Sequence, residues 1–239
     1  MKKTILVFGI LLITFASFII IEANDKKVGE PTVESVLARY IKAVGGRIAL
    51  ENLVSRDCVG KKITDLTSRQ YPIYVSSHME AFAQVPTKYK LEIWIDDGGH
   101  KEGFDGKTGW LKDKCGIQTD KKLIKNKLAF FLNPQGPLYI EEYFPQLTYA
   151  GINEINNMSV HALEPASLQM EYYTLYFSVE SGLLVAIGYH SSVEDYRNID
   201  GVMVPYKFVM GRKGGSVVYQ FDNITHNITK DKSIFAVPE

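Results

Sequence analysis

Two histidine–carboxylate groupings are the first places to look for chemistry in this 239-residue chain. His78-Met79-Glu80 sets an imidazole and a carboxylate two positions apart. On a strand that spacing puts both on one face, where they could exchange a proton as an acid–base pair. A solvated strand face has the same pattern. His100, Glu102 and Asp105 gather nitrogen and oxygen donors around a turn and could hold a metal ion, although the spacing matches no recognised ligand set. His161, His190 and His226 have no partner within their own stretches. Cys58 and Cys115 are the only cysteines. An oxidising compartment could join them, but nothing in the sequence brings their Cα atoms within bridging distance. Two separate buried thiols are expected instead. Cys-x-x-Cys, His-Glu-x-x-His, the Gly-x-Ser-x-Gly elbow and the phosphate-binding glycine loop do not occur. The Asn-x-Ser/Thr triplets at Asn157, Asn223 and Asn227 are short enough to arise by chance.

The elements that carry these residues read mainly as strands. Lys88–Asp96 alternates, with Tyr89, Leu91, Ile93 and Ile95 on one face and Lys88, Lys90, Glu92, Trp94 and Asp96 on the other. Ser77–Val85 alternates in the same way. A period of two with one apolar face implies an antiparallel sheet covered on one side. Further strands are expected at Asp57–Asp65, Leu147–Glu154, Ser159–Leu163, Glu171–Val179, Leu183–Ser191, Val202–Met210 and Ser216–Ile224. Asp105-Gly106 and Asp200-Gly201 supply the positive-φ positions of tight hairpins. Pro205 cannot donate to a ladder, so it belongs at an edge or a bulge. Two stretches change to the helical period. Val33, Val36, Leu37, Tyr40, Ile41 and Val44 form one stripe, closed by Gly45-Gly46. Asp120–Leu132 places Leu123, Ile124, Leu128, Phe131 and Leu132 opposite Lys121, Lys122, Lys125 and Lys127. That lysine side could be an ordinary solvated face or could meet an anionic membrane surface.

The ends and the charge bound the function. Lys2 and Lys3 precede Ile5–Ile21, a run broken only by Thr14 and Ser17. Residues 1–23 are therefore expected to be a signal peptide, or an anchor if uncleaved, with 24–30 a polar linker. Lys and Arg total 27, as do Asp and Glu. A neutral chain lacks the field that holds polyphosphate, which argues against a nucleic-acid partner.

Three features together resemble the outer-membrane lipoprotein-sorting family of LolA and LolB. One is the helix that ends in Gly45-Gly46 and continues into Ala49-Leu50. The second is the Gly103-Phe104-Asp105-Gly106 turn followed by Gly109-Trp110. The third is the C-terminal order Ser181-Gly182-Leu183-Leu184-Val185, Asp195–Phe208 and Asn227 through Pro238. The resemblance spans residues 31–239, taken as a single domain. It implies a mainly β (α+β) fold, a strongly curved antiparallel sheet forming an incomplete barrel with helices on the concave side. It further implies an exported, monomeric envelope protein, not an enzyme, that takes acyl chains of lipid or lipoprotein into an apolar cavity without a cofactor. Tyr89, Leu91, Ile93, Ile95, Leu175 and Phe177 would line that cavity. Read without the resemblance, the same residues could simply be core against the two helices. A lipid sensor or interaction protein using the same cavity, and a hydrolase using His78 and Glu80, are the other readings.

Overall fold

Strand alternation decides most of the architecture. The computed structural model describes residues 31–66, 73–95, 99–119, 127–166, 173–188, 190–212 and 215–238. The expected leader, the linker, and the first part of the lysine-bearing helix with Lys121, Lys122 and Lys125 lie outside the described residues. Among the described residues no helix is long and apolar enough to cross a membrane. The strands are β1 (Ser55–Asp65), β2 (Tyr74–Gln84), β3 (Lys88–Ile93), β4 (His100–Phe104), β5 (Gly109–Asp113), β6 (Gly116–Thr119), β7 (Leu147–Ile155), β8 (Met158–Pro165), β9 (Leu175–Ser178), β10 (Leu184–Ile187), β11 (Ser191–Ile199), β12 (Val202–Arg212) and β13 (Gly215–His226).

Pairing is antiparallel throughout, and the incomplete barrel is built from two sheets. Nine strands run β11-β12-β13-β1-β2-β3-β4-β5-β6, and four run β10-β9-β8-β7. Neither sheet closes on itself. Within each sheet every pair of neighbours is consecutive in the chain, except that β13 returns to pair with β1. The sheets part between β10 and β11, at a corner where His190 takes a positive φ of 60°. There the Ser191 hydroxyl donates to the Ile187 carbonyl (2.6 Å) and accepts the Ile187 N–H (3.0 Å). Pro205 lies in the part of β12 that pairs with β11 alone, so it interrupts no bond to β13.

Helices fill the concave side. α1 (Val33–Ala43) starts in a reciprocal capping box: Thr32 Oγ1 accepts the Ser35 N–H (3.2 Å) and Ser35 Oγ accepts the Thr32 N–H (2.8 Å). Its stripe of Val36, Leu37 and Tyr40 is buried, each side chain contributing roughly 1.5–3 kcal/mol. Gly45 ends the helix with φ 122°. A Cβ there would stand 2.4 Å from the Gly201 carbonyl oxygen, so only glycine lets the helix end touch the Asp200-Gly201 hairpin. The Met203 N–H donates to the Val44 carbonyl across the same contact (3.0 Å). Two of the motifs named above, distant in sequence, thus pack on each other.

α2 (Arg47–Glu51), α3 (Lys127–Leu132) and α4 (Ile140–Tyr143) complete the helices. Leu128 through Leu132 of α3 are all buried against concave residues Cys58, Met79, Ala81, Leu91 and Phe208. Polar side chains fasten the end of α3. Asn133 Nδ2 donates to the Pro86 carbonyl and to the Tyr143 hydroxyl (3.1 Å each). Gln135 Nε2 donates to the Leu53 carbonyl (2.9 Å). The convex side carries a smaller apolar clasp. Phe82 stacks on Phe235 with centroids 5.7 Å apart, and Trp110 Nε1–H donates to the Phe235 carbonyl (2.9 Å). Gly103 lies under the Trp110 ring, where a Cβ would come within 2.6 Å of Cζ2.

Candidate functional site

Register places an apolar hollow on the concave face. Leu91 pairs with Glu102 and Ile93 with His100, so these four share the inner face of β3 and β4. Lys62 pairs with Tyr219 across β1 and β13. With Leu128 of α3, Met210, Gly211 and Tyr173 they line a cavity of about 510 Å³. That volume lies within the range of pockets that enclose small organic ligands. Leu91, Ile93, Leu128 and Met210 make the aliphatic wall. The polar groups are grouped: His100 Nε2 meets Glu102 Oε2 at 3.1 Å. Burial pushes the Tyr219 hydroxyl up to about 12, and the nearby Glu102 carboxylate pushes the same way. Tyr89 is raised for the same two reasons, burial first. The cavity is therefore amphipathic: the His100–Glu102 pair, Lys62, Tyr173 and Tyr219 share its wall with the aliphatic residues.

The six residues expected to line one cavity divide into four places. Leu91 and Ile93 line this cavity. Tyr89 faces a separate small pocket with Ala129, Asn133 and Tyr143. Leu175 and Phe177 are fully buried in the four-stranded sheet, where Phe177 meets the Tyr40 ring at 5.2 Å. Ile95 stands past the end of β3 and is exposed, because the ladder with β4 ends at the Ile93–His100 pair. Lys62, Tyr173, Met210 and Tyr219 were not among the expected lining residues. Lys62 and Tyr219 come together only through the return of β13 to β1.

The other chemical groups fall elsewhere. His78 and Glu80 are 3.2 Å apart and half-exposed on the convex face, with His78 against the Trp94 ring. Asp105 does not join His100 and Glu102. Its Oδ1 accepts the Lys107 and Thr108 N–H groups (2.7 Å each), which holds its carboxyl below the usual carboxylate range. Among the described residues no group of three His, Cys, Asp or Glu side chains could hold a metal. Cys58 and Cys115 are both free. Cys58 is buried, and that burial pushes its thiol up to about 12; Cys115 is exposed rather than buried, because it lies in the tight turn between β5 and β6.

A polar knot seals the opposite end of the concave face. Arg56 is buried, and its Nε–H donates to His226 Nε2 (3.1 Å). Its Nη1 donates to the Phe131 carbonyl in the last turn of α3 (2.5 Å), where a cation complements the helix dipole. Burial first, then the neighbouring Arg56 charge, depresses His226 to about 4, so its imidazole is neutral. Because Nε2 accepts, the proton sits on Nδ1. That N–H has no hydrogen-bond partner; the nearest acid oxygen is Asp200 Oδ2 at 3.7 Å. The knot positions α3 and so sets the floor of the cavity.

No protein-family model matches this sequence, and no curated protein matches it in sequence. Solved structures match its fold. A LolA superfamily protein from Nitrosomonas europaea superposes with a TM-score of 0.56 at 13% identity, covering 87% of this chain and 98% of its own. A DUF1329 family protein from Desulfovibrio piger gives 0.55 at 8% identity, covering 85% and 97%. A domain described as an outer membrane lipoprotein-sorting protein, from Vibrio parahaemolyticus, gives 0.52 at 9%, covering 84% and 96%. The helix-filled, open antiparallel half-barrel of this chain is the fold of LolA-like proteins.

Proposed function

We propose that this chain binds the acyl chain of a lipid or lipoprotein in its concave cavity and acts as a carrier or sorting protein of the cell envelope. The observation that carries this reading is the hollow of about 510 Å³ walled by Leu91, Ile93, Leu128 and Met210. Apolar burial contributes roughly 25 cal/mol per Å², so an acyl chain needs few polar contacts to be retained. The fold shared with a lipoprotein-sorting domain supports the reading. The basic start and apolar run of residues 1–23 support export to the envelope, as signal or as anchor.

Native mass spectrometry of the purified chain tests this. The expected spectrum contains a species heavier than the chain by the mass of a lipid, which denaturation releases. Met210→Glu, which puts a carboxylate into the aliphatic wall, should lose that species and keep the fold. Bare chain alone, together with no uptake of added long-chain fatty acid, would overturn the reading.

A further inference from the structure

A lysine stands on the floor of the concave hollow. Alternation along β1 puts Cys58, Gly60 and Lys62 on the concave side, where Cys58 and the β2 partners Ala81 and Met79 are core. Lys62 pairs with Tyr219 on one side and with Ser77 on the other, and neither neighbour is charged. Three strands away on β4, the Glu102 carboxylate lies 3.1 Å from His100 Nε2, a distance at which it accepts the ring N–H. Tyr219 stays a phenol at neutral pH, because burial raises its hydroxyl. The lining therefore presents an ammonium and the hydroxyls of Tyr173 and Tyr219 as donors, and its one carboxylate is engaged by the imidazole.

We infer that the hollow takes a single acyl chain ending in an anionic head, a carboxylate or a phosphate, which Lys62 and Tyr219 hold while the chain lies along Leu91, Leu128 and Met210. The inference rests on the acyl-binding reading and adds the head to it. Carboxylate and phosphate oxygens only accept, which matches a wall rich in donors. An ammonium among aliphatic side chains acts through a lower dielectric than water, so it attracts an anion more strongly than a surface lysine does. A hydroxyl head would forgo that charge, and a cationic head would meet Lys62 as a like charge. Glu102 is the one acid on the lining, and its carboxylate is already hydrogen-bonded to His100. The volume argues for one chain: about 510 Å³ suits one small organic molecule, and diacyl and triacyl lipids need more room.

Calorimetric titration of the full chain, stripped of bound lipid, compares three heads on one chain: dodecanoate, dodecyl phosphate and dodecanol, at neutral pH. The anion that fits should bind about tenfold tighter than the alcohol, the size of one charge-assisted contact. Which of the two anions binds tighter identifies the head as carboxylate or phosphate. Lys62→Met should bring the anions down to the level of the alcohol, and Lys62→Arg should keep the preference. Tyr219→Phe should lose part of it, and Glu102→Gln, which removes the opposing charge, should increase it. Circular dichroism and melting check that each variant is folded; if Lys62→Met is not, the wild-type ranking and Tyr219→Phe decide. A wild type that binds the alcohol as tightly as both anions overturns the inference and keeps the acyl-binding reading. So does a preference that survives Lys62→Met, which would mean that the ammonium reaches out to water along its apolar stem. Binding of none of the three overturns both.

Discussion

On β2, Met79, Ala81 and Ala83 are buried, whereas Val75 on the same face, and Ile73 just before the strand, are exposed. The contrast recurs from β1 to Leu66 just past its end, against Cys58, and from β3 to Ile95 just past its end, against Leu91. Side-chain chemistry does not separate the two ends, since both are aliphatic. Cover does. At the closed end α1, α3 and the Asp200-Gly201 hairpin press on the sheet, and the Arg56–His226 knot fastens them. At the other end these aliphatic residues stay 40–47% exposed. The fold therefore concentrates its packing on one part of the concave face.

The contrast is testable by substitution. Ile93→Asp should cause the largest loss, about 4 kcal/mol or more, because its carboxylate would lose water without gaining a partner. Trp94→Ser, one residue on and facing out, should cost about 1 kcal/mol or less. Urea melts giving equal losses would show that both faces of β3 are buried. Next, Met79→Ala should cost about 2–5 kcal/mol through the cavity it leaves, and Val75→Ala, on the same strand and face, about 0.5 kcal/mol. Similar values for both would erase the distinction between the ends.

Acid should act on the closed end. The His226 imidazole titrates at about 4 in the folded chain against 6.5 when free. The unfolded chain then binds more protons between these values, so the stability from a neutral His226 is fully present above pH 6.5. It falls as pH drops toward 4, by at most about 3 kcal/mol. Chemical denaturation across pH 4–7 reads this, and His226→Asn, which can still accept from Arg56, should flatten the curve. A wild type as flat as the variant would mean that His226 is solvated. The smallest effect belongs to the other end. Glu102→Gln should lower the Tyr219 titration from about 12, since the carboxylate is one of the two causes of its rise. NMR of labelled tyrosine ring carbons would detect the change, and an unmoved Tyr219 would place Glu102 away from the cavity wall.

Local patterns made the strands legible, while long-range pairing hid the site. The alternation of Lys88–Asp96 identified β3 and its inward residues Leu91 and Ile93. It carried on through Ile95 because alternation does not record where a neighbouring strand stops. The helical stripe of α1 and the tight turn at Asp200-Gly201 were readable for the same local reason. His226 offered no partner in sequence because Arg56 lies 170 positions away. Lys62 and Tyr219 were missed for the same cause: their pairing depends on a register between the first strand and the last. Phe177 has the composition of a cavity wall, but β9 belongs to the second sheet and packs on Tyr40.

The return of β13 to β1 also governs when this chain can fold. A ribosome delivers β1 first and β13 last, yet β1 pairs along its length with β13 through Asp65↔Ser216 to Arg56↔His226. The nine-stranded sheet cannot be completed, nor the Arg56–His226 bond made, until Gly215–His226 has emerged. Contacts of such long sequence separation slow folding, because loop closure precedes the reward. The seam between the first strand and the last thus stays open until synthesis is nearly complete, and the locally paired β1–β6 and β7–β10 must wait for it.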